Sequence, residues 1–171
     1  MTTDKESIQT TEYSSPTDRY KYSVQDLLAF VPPFHDSEKH NEGYFRVCQA
    51  FDRLKAAGLS LPEIVLQIDS EAFQTNLDIR YVARLMQEKR EYFQGRDDSE
   101  QRFFLIAGAN TTIAHLTNRL FAMNDGLIDS TQEERNAMEA EYLATMQLQN
   151  LTYQPQTEPV SIAISQNGEA I

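Results

Sequence analysis

A single cysteine, Cys48, rules out an internal disulfide framework. It lies in a helical pattern between Val47 and Gln49 and is expected to be a small core residue. Glycine and proline, six of each in 171 residues, are too scarce for a turn-rich β fold and favour helix. No apolar run approaches the roughly 18 residues that a membrane span needs, so no membrane partner is expected. Residues 1–15 lack a basic stretch followed by an apolar one, so no secretory signal is read there, and the expected setting is cytoplasmic and reducing. Positive charge is scarce as well. Fifteen basic residues face 26 acidic ones, a formal net charge of −11, which argues against a general nucleic-acid binder because phosphate affinity comes from Lys and Arg.

Chemistry-bearing motifs are equally sparse. The sequence has no glycine-flanked serine in a strand-turn-helix context and no phosphate-binding glycine loop, and Cys48 has no basic partner placed by sequence. His35, Asp36, Glu38 and His40 imitate a metal cluster but fall in one polar stretch with no second ligand pair, so they read as a solvated loop. His115 reads as a flank residue of a long helix. The acidic pairs Asp97-Asp98 and Glu133-Glu134 sit in a linker and at a helix start, where solvation and the helix dipole account for them. No catalytic residue, metal or cofactor is expected.

What the sequence does contain is helical periodicity in a definite order. Residues 1–22 are polar and read as a disordered arm, with Tyr13, Tyr20 and Tyr22 as possible anchors. Residues 23–94 read as a small helical domain. Ser23 caps a short helix that Pro32-Pro33 ends. Residues 35–42 read as loop, and a helix then spans 44–57 with Phe45, Cys48, Phe51 and Leu54 on its apolar side. Gly58 closes that helix, Ser60 and Glu63 form a capping box, and Ile64, Val65 and Ile68 form the next apolar face. A third helix is expected from Asn76 or Asp78 to about Phe93. Ile79, Val82, Leu85, Met86 and Phe93 would be buried, with Arg80, Arg84, Glu88 and Glu91 on a solvated opposite face.

Residues 95–99 read as a linker, and residues 100–149 as an αα-hairpin. In its first helix Ile106, Ala109, Ile113, Leu116, Leu120 and Met123 alternate in steps of three and four, a heptad seam of about two and a half repeats. Asp125-Gly126 makes the turn. Ser130 and Glu133 are read as the capping box of a helix reaching about Gln147, with Met138, Tyr142, Leu143 and Met146 facing its neighbour. Residues 150–171 change to period two, with Leu151 and Tyr153 and then Val160, Ile162 and Ile164, and read as a short β tail. The fold class is therefore mainly α, with a helix-turn-helix-like domain, a long helical hairpin and a short C-terminal β segment.

Charge is distributed unevenly. Residues 39–102 hold ten of the fifteen basic side chains and are close to neutral, while residues 103–171 hold two basic and eight acidic ones. An anionic partner would therefore meet the middle segment, through Arg80, Arg84, Lys89 and Arg90 on the third helix.

The run Leu54 and Gly58-Leu59-Ser60-Leu61-Pro62-Glu63-Ile64 resembles a phrase common in helix-turn-helix proteins, MerR-type regulators among them. By order of elements the whole chain resembles the small terminase subunits of tailed bacteriophages. That resemblance implies an oligomeric, non-enzymatic adaptor that recognises double-stranded viral DNA and regulates a packaging motor. Ile106, Ile113, Leu116, Leu120 and Met123 would hold its copies together. The alternative is a structural or assembly subunit, such as a virion connector, with no nucleic-acid role. A seam and a tail that both need partners favour self-association in either case.

Overall fold

The computed structural model describes residues 19–33, 37–70 and 77–156. It is mainly helical, with seven helices among those residues: α1 (Val24–Leu28), α2 (Ser37–Ala56), α3 (Leu61–Ser70), α4 (Ile79–Glu88), α5 (Arg90–Gln94), α6 (Asp98–Asn124) and α7 (Gln132–Tyr153). The expected arm at 1–18, His35 and Asp36, and the alternation at Val160, Ile162 and Ile164 lie outside the described residues.

Local chemistry sets most boundaries. The Asp26 N–H donates to Ser23 Oγ at the start of α1. In the α2–α3 turn the Leu59 N–H reaches back to the Leu54 carbonyl, and Gly58 takes φ 90°, a conformation that costs glycine little. Ser60 and Glu63 then exchange reciprocal capping bonds. The α6–α7 turn repeats the device, with Leu127 N–H on the Ala122 carbonyl and Gly126 at φ 77°.

Several expectations are corrected. α2 begins at Ser37, six residues before Gly43, so the stretch expected to be loop is helical from there. The buried line of α2 is Tyr44, Val47, Ala50, Phe51 and Leu54, whereas Phe45 is exposed. The third helix breaks at Lys89, whose φ of −111° and ψ of 42° are not helical, and resumes as α5. The capping box of α7 is Thr131 with Glu134, one residue later than expected, because an S/T-x-x-E match exists in both registers. Finally, α7 runs through Leu151 to Tyr153, so the period-two reading there fails. Thr145, Leu148 and Thr152 form its buried line, and their helical spacing governs. Among the described residues no strand forms. Tyr20 and Pro155 make one isolated antiparallel bridge.

One hydrophobic core runs from α1 to α7. α4 is its central helix, packed on α2 and α6, with only Gln87 and Glu88 of its ten residues exposed. Phe51, Phe93 and Phe104 stack in the middle, at ring centroids of 5.7 and 5.4 Å, so the core passes without interruption across the linker into α6. Gly108 lets the α4 backbone approach. A Cβ there would lie 2.7 Å from Val82 Cγ2 and 3.2 Å from Ile79 Cα. Beyond Thr112 the buried side chains of α6 are Leu116 and Met123, and at that level α7 still meets the body through Glu141 on Arg80.

Candidate functional site

Two surfaces answer to the residues singled out in the sequence: the basic side chains of α4 and α5, and the apolar side chains of the α6–α7 hairpin.

Arg80 is not solvated. It is 8% exposed and is held by Asp78, whose Oδ1 accepts from Arg80 Nε at 2.7 Å and whose Oδ2 accepts from Nη2 at 2.6 Å. Asp78 Oδ1 also caps α4 by accepting the Arg80 N–H. Arg80 Nη1 reaches Glu141 on α7 at 3.2 Å. Burial works to lower the Arg80 pKa, but the bond and charge of Asp78, joined by Glu141, outweigh it and raise the value. The guanidinium is thus a clamp between body and hairpin. Helical periodicity places Arg80 opposite Val82 and Leu85; it cannot show that α7 covers that opposite face.

Arg84 lies over the Tyr44 ring, 4.0 Å from its centroid, and bonds Glu88 and Asn41. Tyr44 donates to Glu88 Oε1 at 2.7 Å. Burial, with that bond, raises the Tyr44 pKa, while the Tyr44 and Arg84 bonds lower that of Glu88. Lys89 meets Asp52 at 2.9 Å, and that bond raises its pKa. Arg90 is exposed. The four residues therefore do not form one open basic face. A different group of cations gathers at the end of α2 and around α5. Lys55 Nζ and the Arg96 guanidinium both lie over Tyr92, at 5.1 and 4.9 Å, with Arg90 on the same short helix. The sequence carries a signal for it, an aromatic flanked by Arg90 and Arg96, but Lys55 joins only through packing.

The hairpin seam divides. Leu116 and Met123 are buried against α7, and Ala109 with them. Ile106, Ile113 and Leu120, seven residues apart, are half-buried along its outer flank. A hydrogen bond from Gln149 to Asn110 joins the two helices on that flank, which places Met146 and Tyr142, one and two turns before Gln149, beside Ile113 and Thr117. Phe121 and Leu143 extend the surface and are 64% and 59% exposed, and Phe103 lies at its base. Periodicity alone makes Phe103 and Phe121 bulk beside the seam and turns Leu143 inward.

Shallow cavities indent the described surface. One, of about 260 Å³, is lined by Arg119, Met123, Ile128 and Glu134 among others; another, of about 230 Å³, lies between Pro32-Pro33 and Ala137, Ala140 and Ala144. His40 stacks on Tyr44 and tilts against Tyr81, and among the described residues no three His, Cys, Asp or Glu side chains are placed to share a metal ion. No described helix is long and apolar enough to cross a membrane. No protein-family model, curated protein or solved structure matches the chain.

Proposed function

We propose that the protein is a self-assembling, non-enzymatic subunit that acts as a structural or adaptor component of a larger assembly. The observation that carries this reading is the outer flank of the α6–α7 hairpin. Ile106, Ile113 and Leu120 are only half covered there, and Phe121 and Leu143 are open to solvent. A contiguous apolar surface of that kind, on a chain otherwise rich in charge, marks a protein contact. Light scattering should give a mass above that of one chain, and a stable monomer at high concentration would sink the reading.

A second reading adds DNA recognition and regulation of a motor protein, as the terminase-like order of elements implies. Arg80 cannot serve it, because freeing that side chain would strand Asp78. The observation that favours it is the pair of cations, Lys55 and Arg96, over the Tyr92 ring, with the exposed Arg90 on the same short helix. Cations at the rim of a half-buried aromatic suit phosphate contact. Duplex binding at low salt should then fall steeply as salt rises. Lys55→Glu with Arg96→Glu should abolish it, while Arg84→Glu should reduce it less. Undetectable binding by the assembled protein at low salt would leave the structural-subunit reading alone.

A further inference from the structure

We infer that two copies associate symmetrically through the outer hairpin flank, each presenting the same face to the other, to form a four-helix bundle. This rests on the self-assembly reading above and specifies its partner and symmetry.

Charge decides between a symmetric and a head-to-tail contact. Residues 103–124 of α6 contain one formally charged side chain, Arg119, and residues 142–153 of α7 contain none. Arg119 lines the cavity with Met123 and Glu134, away from Asn110. The charges nearest the outer flank are Arg135, which is bonded to Ser130 and Gln132, and Glu139, a turn before Leu143. The face is otherwise apolar or amide: Ile106, Ile113, Leu120, Phe121, Tyr142 and Met146, with the Asn110–Gln149 pair in the lower half. A head-to-tail contact would set this face against the body, whose surface carries Arg46, Lys55, Arg90 and Arg96, and would bury cations against groups that cannot neutralise them. A second copy of the same face meets it without that cost. The protein's net charge of −11 disfavours most contacts between copies, and a nearly uncharged face escapes that repulsion.

Size and geometry agree. The nearly uncharged stretches, residues 103–124 of α6 and 142–153 of α7, are roughly 33 and 18 Å long and each roughly 10 Å wide, so a copy offers on the order of 500 Å² and a symmetric pair buries about 1,000 Å², the lower bound of a specific interface. The seven-residue repeat of Ile106, Ile113 and Leu120 is the spacing that keeps an apolar line facing a neighbouring helix along its length. Two antiparallel pairs joined on such lines make a four-helix bundle. In the Asn110–Gln149 pair the Gln149 side-chain N–H donates to the Asn110 oxygen, and the Asn110 N–H groups and Gln149 oxygen that this bond leaves over would fix the register of the two hairpins by bonding between copies.

The test uses the full chain. Sedimentation equilibrium should give an even number of copies. Ile113→Asp with Leu143→Asp should weaken association at least about a hundredfold, since each buries an unpaired charge, with helicity by circular dichroism unchanged. Phe45→Asp with Leu66→Asp, on exposed apolar positions of the body, should leave it intact. Thr117→Glu and Thr117→Lys chains, each impaired alone by meeting its own kind, should co-assemble when mixed, which a head-to-tail contact would not produce. A monomeric wild type would overturn the self-assembly reading itself. An oligomer that survives the hairpin substitutions, holds an odd number of copies, or shows no rescue on mixing would overturn this inference alone.

Discussion

Removing the Arg80 guanidinium would leave Asp78, 4% exposed, as a buried carboxylate without its main partner. Arg80→Ala should therefore destabilise the fold by about 3–5 kcal/mol in urea titrations, the cost typical of breaking one side of a buried pair. A neighbouring cluster responds to pH. Burial, helped by the Arg84 charge, lowers the His40 pKa, so the unfolded chain takes up a proton at this position before the folded one does. Stability should fall as pH drops below about 6.5, the unperturbed histidine value, and His40→Gln should flatten that part of the curve. Glu88 acts in a lower window. Its pKa is depressed in the fold, so its contribution is present above the ordinary carboxylate range and is lost as pH falls through the depressed value. Thermal unfolding followed at several pH values separates the two.

Among the elements, the seat of α4 on α6 is the most constrained. Thr112 Oγ1 accepts the Ile79 N–H at 2.8 Å and donates to the Gly108 carbonyl, and Gly108 supplies the room. Gly108→Ala gains about 1 kcal/mol of helix propensity. The new methyl, however, strikes Val82 and the Ile79 backbone in a filled core, which costs about 1–3 kcal/mol. The clash outweighs the gain in propensity, so the substitution should lower the melting temperature, although sequence alone would recommend it. At the hairpin turn Thr131→Ala removes one half of a reciprocal cap and should cost about 1 kcal/mol. If it costs nothing in denaturant titrations, the neighbouring Ser130 register is capping instead.

For the whole molecule, the near half of the hairpin belongs to the body's core, while the far half meets the body mainly through Glu141 on Arg80 and the α7 alanines facing Pro32-Pro33. Arg102 ties the near end together. It bonds Asp98 at 2.6 Å, reaches the Tyr22 carbonyl, and lies 3.9 Å from the Tyr20 ring centroid. Residues 19–22, which the sequence presents as the end of an arm, are thereby fixed to α6 and α7. The far half should consequently exchange its amide protons faster than α4 and the near half in an isolated chain. Association through the outer flank should slow that exchange, and hydrogen exchange at low and high protein concentration would show the difference.

The sequence alone determined the helical class, the Gly58 and Gly126 turns, the Ser60 cap, and the buried stripe of α4, because each depends on contacts within a few residues. It also showed that residues 103–124 and 142–153 are nearly uncharged, which is a property of composition. Tertiary structure decided the rest. The same i, i+3 and i+4 spacing that buries Leu116 and Met123 leaves Ile106 and Ile113 half open, since which flank of a helix is covered depends on where its partner lies. Arg80 looks exposed in the sequence because periodicity describes one face of a helix, whereas α4 is covered on two. Leu151 and Tyr153 alternate as a strand would, yet they finish a helix, because Leu148 and Thr152 bury their helical spacing against the body. Long-range packing set these outcomes, and the spacing of residues along the chain does not encode the position of a neighbour fifty residues away.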